Sequence, residues 1–231
     1  MATYLLIHGA GSDSWYWHLV GPELEGLGHE VIAPDLPSFD ESKGLSDYVQ
    51  VAFDLIGNRR NVVVVAQSLG AFTGASVSAR VSASLLVLLN AMIPSPGETA
   101  GAWWEHTGYA EAFRDDALAA GRDPDAEYDP IVLFLHDVPR SLWEESGRHA
   151  GPQAARVFAD PVPFNVWPDV PTRAIVSRGD RFFPADFQRR LIHERLDIEP
   201  DEIEGGHLPA LSRPNDLVSL LERIRTESEA G

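Results

Sequence analysis

The sequence has no cysteine in its 231 residues. That one absence removes disulfides, thiolate nucleophiles and thiolate-held metals together. Basic side chains are scarce, 18 Lys and Arg against 35 Asp and Glu, for a formal net charge of -17. So acidic a chain repels nucleic-acid phosphates and anionic membrane surfaces. Neither nucleic acid nor membrane is expected as a partner, and the charge reads as a hydrated surface. No apolar run approaches the roughly 20 residues that span a bilayer. The opening residues 1–7 carry no basic leader and run directly into a strand pattern. A secretory signal is therefore not expected, and the cytoplasm is the expected compartment.

What the sequence does have is enough apolar material, 44% of residues, to build a sizeable core. Its length suits one domain over 1–231 carrying an insertion. Residues 3–9, 61–67, 84–91 and 172–179 read as strands, with another around 31–33 and a weak sixth at 198–203. The first five are near-continuous apolar runs, the pattern of strands covered on both faces. Helical spacing is expected over 15–27, 45–56, 69–80, 184–196 and 214–224, with Ser12 and Asp13 as caps of the first. Pro184 and Pro214 suit first turns, where a missing N–H does no harm. The predicted fold class is α/β, a mostly parallel central sheet flanked by helices. Residues 94–168 break the rhythm and read as a helical insertion over one end of the sheet. The final residues, 226–231, are expected to fray.

One junction carries chemistry. In "VVVVAQSLGA" a valine strand ends at Ser68, with small residues Ala66 and Gly70 two positions to either side. A sharp strand–turn–helix elbow needs such small flanks and exposes its serine hydroxyl as a nucleophile. The first strand ends in His8-Gly9-Ala10-Gly11, a loop able to aim a backbone N–H at the same point. The N–H groups of Ala10 and Leu69 are thus the expected oxyanion donors. A serine also needs a base. His207, in Gly205-Gly206-His207-Leu208-Pro209, lies in a loop expected to return to the serine's end of the sheet. His8 is expected to shape its loop; His18, His29, His106, His136, His149 and His193 read as surface or core residues. Asp180 follows the fifth strand in "SRGDRFFP" and is the expected partner of the imidazole. Asp186 competes, but it falls in a first helical turn, where a carboxylate serves the helix dipole. The order Ser68, Asp180, His207 suits this architecture.

With these pieces, "LLIHGAGSDSWYWHLV", "GHEVIAPDLP", "VVVVAQSLGA", "SRGDRFFP" and "GGHLPALSRP", the sequence resembles the α/β-hydrolase superfamily. Within it, the resemblance is to the small single-domain hydrolases of serine-esterase type that include plant methylesterases, hydroxynitrile lyases and their bacterial relatives. The insertion corresponds to that family's cap, and "FLHDVP" inside it looks like family usage. The lyases carry threonine after the loop histidine and lysine after the catalytic histidine; here these are Gly9 and Leu208. Relatives that open epoxides or remove halogen use aspartate where Ser68 stands.

The expectation is therefore a carboxylesterase-like hydrolase working through an acyl-enzyme on a small, apolar ester. Its pH profile should fall as the histidine protonates, near the imidazole reference value of about 6.5. It would need no metal or organic cofactor. Trp103, Trp104, Tyr109, Phe113, Phe134, Trp143 and Phe158 would either line its pocket or hold the insertion to the core. Two other readings stay open: non-hydrolytic carbonyl or cyclisation chemistry on a biosynthetic intermediate, and ligand binding without catalysis. Assembly as a homodimer is open as well.

Overall fold

The computed structural model describes residues 1–230. Six strands form one sheet: β1 Thr3–Ile7, β2 Glu30–Ile32, β3 Val62–Gln67, β4 Leu85–Leu89, β5 Thr172–Ser177 and β6 Asp201–Ile203. Their order is β2-β1-β3-β4-β5-β6, and every pairing is parallel. Helices α1 Val20–Gly26 and α2 Leu45–Ile56 follow the first two strands, and α3 Gly70–Val81 follows β3. Between β4 and β5 come α4 Ala100–His106, α5 Tyr109–Ala119, α6 Pro130–Leu133 and α7 Trp143–Arg148. The chain ends with α8 Ala185–Leu196, α9 Pro209–Ser212 and α10 Pro214–Ala230.

Strand periodicity sorts the core into two layers. Leu5, Ile7, Val62, Val64 and Ala66 point to one face, against α2, α3 and α8. Tyr4, Leu6, Val63, Val65 and Val87 point to the other, against α1 and α10. Every residue of β1, β3 and β4 is buried. Each such aliphatic side chain stabilises the fold by about 1.5–3 kcal/mol. That two-sided cover is why these strands read as unbroken apolar runs.

The topology also fixes where chemistry can occur. From β1 the chain runs outward to the β2 edge, then returns past β1 to β3 and continues the other way. In open α/β sheets ligands bind at the carboxyl ends of strands beside such a reversal. Both loops flanking this one carry the residues singled out above: 8–11 after β1, and Ser68 after β3.

Two local expectations need correction. The helix expected over 15–27 is a 3₁₀ turn at Ser14–Trp17 followed by α1. Asp13 caps the first piece by accepting the Trp15 N–H at 2.9 Å. Pro22 has no N–H to give to the preceding turn, so the helix restarts and keeps Pro22 in its first turn. Residues 226–230 do not fray: α10 runs to Ala230. The pair Arg225–Glu229 at 2.7 Å, together with Arg223–Glu227 at 3.1 Å, braces its last turns. Gly231 lies outside the described residues.

Candidate active site

Ser68 is the first residue after β3 and has φ +52°, a left-handed conformation that costs a non-glycine residue roughly 1–2 kcal/mol. Three hydrogen bonds hold it there. Its N–H donates to Leu89 O at 3.1 Å, while its carbonyl accepts from Ala71 N at 3.1 Å and Met92 N at 3.0 Å. The sharp turn brings α3 against the loop after β1, and a side chain on Gly70 would collide with the His8 carbonyl. The small flank has this cause.

The loop after β1 is built around His8, which is buried. Its Nε2 accepts the Leu36 N–H at 3.2 Å, so the proton sits on Nδ1, which donates to Gly9 O at 2.9 Å. Burial pushes its pKa below the usual histidine value, keeping the ring neutral. Gly9 O belongs to the same peptide unit as the Ala10 N–H, so His8 orients that donor. Neither the Ala10 nor the Leu69 N–H is taken by an acceptor among the described residues. Ala10 lines the same cavity as Ser68.

At the other side, β5 and β6 bring Asp180 and His207 together. Asp180 Oδ2 and His207 Nδ1 are 2.7 Å apart, and both side chains are buried. Asp180 Oδ1 accepts the N–H groups of Phe182 and Phe183 at 2.9 Å each, and Gln188 Nε2 approaches Oδ2 at 3.3 Å. Phe134, Phe182 and Phe183 pack edge-on against the His207 ring, with centroids 5.4, 5.2 and 5.0 Å away. Nδ1–H faces the carboxylate, which leaves Nε2 as the unprotonated, base-competent nitrogen. Ser68 and His207 line one cavity, and no hydrogen bond joins their side chains among the described residues. Such bonds are commonly long before substrate binds. Asp186, the competitor, stands exposed in the first turn of α8 and pairs with Arg189.

Some of this support had no signal in the sequence. Asn90, just past β4, is fully buried with φ +43°. Its side chain accepts Ser177 N–H at 2.8 Å, donates to Ser177 Oγ at 2.9 Å and reaches His207 O at 3.3 Å. Gln67 Nε2 donates to the same carbonyl at 3.2 Å. The "FLHDVP" segment contributes Asp137, whose Oδ2 accepts the Gly206 N–H at 2.7 Å. The backbone of the histidine loop is thereby held from three directions. Only strand-end position hinted at Asn90.

The cavity has a volume of about 660 Å³. Of the seven expected aromatics, Trp104, Phe134 and Phe158 line it; Trp103, Tyr109, Phe113 and Trp143 pack elsewhere. Trp15, Tyr16, Tyr128 and Phe182 complete the aromatic wall. His149 also borders the cavity rather than sitting apart from it, stacked on Trp15 and bonded to Asp13 Oδ2 at 2.8 Å. That hydrogen bond raises its pKa. Gly9 and Leu208 both face the cavity, so no ammonium stands beside His207.

Methyl jasmonate esterase 1 of Vitis vinifera is 26% identical, over 96% of this chain and 95% of its own length. Norfluorocurarine synthase 1 of Strychnos nux-vomica is 24% identical, over 96% of this chain and 94% of its own. The crystal structure of polyneuridine aldehyde esterase superposes with a TM-score of 0.78 at 20% identity, covering 97% of this chain and 99% of that one, a likeness of fold. The sequence model of the alpha/beta hydrolase family matches residues 4–220, and the chain belongs to that family.

Proposed function

We propose that this protein is a carboxylic ester hydrolase that works through an acyl-enzyme on Ser68. The observation that carries the reading is the 2.7 Å Asp180–His207 pair, whose imidazole borders the cavity that the strained Ser68 also lines. His207 Nε2 takes the Ser68 hydroxyl proton as Oγ bonds to the ester carbonyl carbon. Charge gathers on the carbonyl oxygen, where the Ala10 and Leu69 N–H groups receive it. The tetrahedral centre collapses, the bond to the alcohol oxygen breaks, and His207 gives that oxygen the proton. A water then repeats the sequence on the acyl-serine and releases the acid. Asp180 stays ionised throughout and holds the imidazole tautomer.

The aromatic wall supports a small, apolar ester as substrate. Residues 94–168 form the cap of this single domain, supplying Trp104, Tyr128, Phe134 and Phe158 to the cavity. No helix among the described residues is long and apolar enough to cross a membrane, and the cytoplasm is the proposed compartment. The match to a methyl jasmonate esterase favours ester cleavage. The match to a norfluorocurarine synthase favours a second reading, non-hydrolytic chemistry from the same site.

Hydrolysis of p-nitrophenyl acetate and butyrate by the wild type and by Ser68→Ala tests the proposal. Turnover should fall by at least about 10³-fold in the variant. Equal rates would defeat it, and a wild type inert to a panel of esters would favour the second reading.

A further inference from the structure

We propose that Gln153 is a positioning residue for the oxyanion hole, gripping from the cap the loop that carries the Ala10 N–H. The inference rests on the esterase reading above and concerns a residue far in sequence from Ser68, Asp180, His207 and both oxyanion donors.

The loop after β1 has no regular hydrogen-bond ladder beyond Ile7 and must be held by its neighbours. His8 holds one peptide, through Gly9 O. The next is held from the cap. The Gly11 N–H donates to Gln153 Oε1 at 2.9 Å, and Gly11 O accepts the Gly151 N–H at 3.0 Å. Gly11 is thus bonded on both sides to residues 151–153. It has φ +60°, and a side chain there would strike the Gly151 carbonyl. The close approach of cap and loop is therefore built into the backbone.

Gln153 is itself fixed. Its Nε2 donates to Ser38 O at 3.0 Å and to Tyr48 Oη at 2.8 Å. The Gly11 N–H can only donate and the Ser38 carbonyl can only accept, so these partners set which way round the amide sits. A flipped amide would set N–H against N–H. Tyr48 lies on α2 and is buried in the core, so the amide is anchored to the body of the fold. Gln153 also borders the substrate cavity beside Ala10. The chain of contacts runs from α2, through Gln153 and Gly11, to the peptide next to the oxyanion donor.

The Ala10 N–H must meet an oxygen that carries full charge only in the transition state. Losing the Gln153 contact frees ψ at Ala10 and lets the loop drift. A misplacement of about 1 Å costs about 10²-fold in rate. Ground-state binding, which rests on the aromatic wall, should change little.

The test uses Gln153→Met, which keeps volume and loses every hydrogen bond, beside Tyr48→Phe, which removes one anchor of the amide. Each is assayed for kcat and KM on p-nitrophenyl butyrate and for thermal unfolding. Each is also titrated with an alkyl trifluoromethyl ketone, which adds to the serine as an oxyanion, and with the matching methyl ketone. Gln153→Met should lower kcat by about 10²-fold with KM within about threefold. The preference for the trifluoromethyl ketone should fall by the same factor. Tyr48→Phe should move that preference in the same direction, by about fivefold. A folded Gln153→Met with wild-type kcat and ketone preference would overturn the inference. Should Gln153→Met not fold, an unchanged ketone preference in Tyr48→Phe would overturn it equally. A wild type that neither turns over the ester nor binds the trifluoromethyl ketone would instead remove the esterase reading and this inference with it.

Discussion

Asp180 holds His207 at 2.7 Å through one carboxylate oxygen while its other oxygen is committed to the backbone N–H groups of Phe182 and Phe183. The carboxylate cannot turn without abandoning two donors inside a buried site. It therefore fixes both the orientation of the imidazole and the position of its proton.

Asp180→Asn follows directly. The Phe182 and Phe183 N–H groups will claim the amide oxygen, which turns the amide NH₂ toward His207 Nδ1. The ring must then accept on Nδ1 and carry its proton on Nε2, where it can no longer take one from Ser68. The expected loss in kcat is about 10³–10⁴-fold, with the protein still folded. Steady-state kinetics beside a thermal melt check this, and a loss below about tenfold would contradict the assigned role.

Substrate charge is a second consequence. Among the described residues no Lys or Arg lines the cavity, and the chain carries a formal charge of -17. A neutral ester should be preferred over its carboxylate-bearing counterpart by at least about tenfold in kcat/KM, since the cavity offers a buried carboxylate no Lys or Arg and the His149 imidazole on its wall is already paired with Asp13. The gap should narrow as salt screens the surface charge. Matched p-nitrophenyl butyrate and hemisuccinate esters measure it; a preference for the anion would contradict the reading of the cavity.

Stability at low pH should depend on a partly buried cluster remote from the site. Tyr4 Oη donates to Glu222 Oε1 at 2.6 Å, joining β1 to α10. His29 accepts the Ala2 N–H on Nδ1, so its Nε2–H donates to Glu222 Oε2 at 3.1 Å. Burial alone would raise the Glu222 pKa, but hydrogen bonds from Arg225, Tyr4 and His29 outweigh it and hold the carboxyl down to about 2, from an ordinary 4.5. A carboxyl lowered on folding stabilises fully above its unfolded value, and that stabilisation drains away as pH falls toward the folded value. The wild type should thus lose stability between about pH 4.5 and 2 more steeply than Glu222→Gln. At neutral pH the variant should be less stable by about 1–2 kcal/mol, reduced from the full linkage value because water reaches part of the group. Denaturant unfolding across that range decides it; parallel curves would contradict the network.

The legible and illegible parts of this molecule differ for physical reasons. β1, β3 and β4 announce themselves because both faces are covered, so every position is apolar. β6 was faint because it is a three-residue edge strand whose Asp201 and Glu202 pair with Arg173, Arg178, Arg189 and Arg223. The positions of Ser68, Asp180 and His207 could be read because each follows a strand, and parallel strands deliver their ends to one rim. Asn90, Gln67 and Gln153 could not be read. Their work is done on backbone groups that only the folded chain brings near, as with Gln67 and His207, 140 residues apart. Nor does a cap aromatic declare whether it meets substrate or core: adjacent Trp103 and Trp104 take one role each, the first fully buried with its indole N–H on Ile93 O at 3.0 Å, the second on the cavity wall.

In the proposed mechanism His207 makes Ser68 nucleophilic. Labelling with a fluorophosphonate, followed by peptide mass spectrometry, tests it most directly, because the probe bonds only to an activated serine. The wild type should carry a single adduct on Ser68 and the His207→Ala variant almost none. A wild type that stays unmodified, or a His207→Ala variant labelled as fast as the wild type, would contradict it.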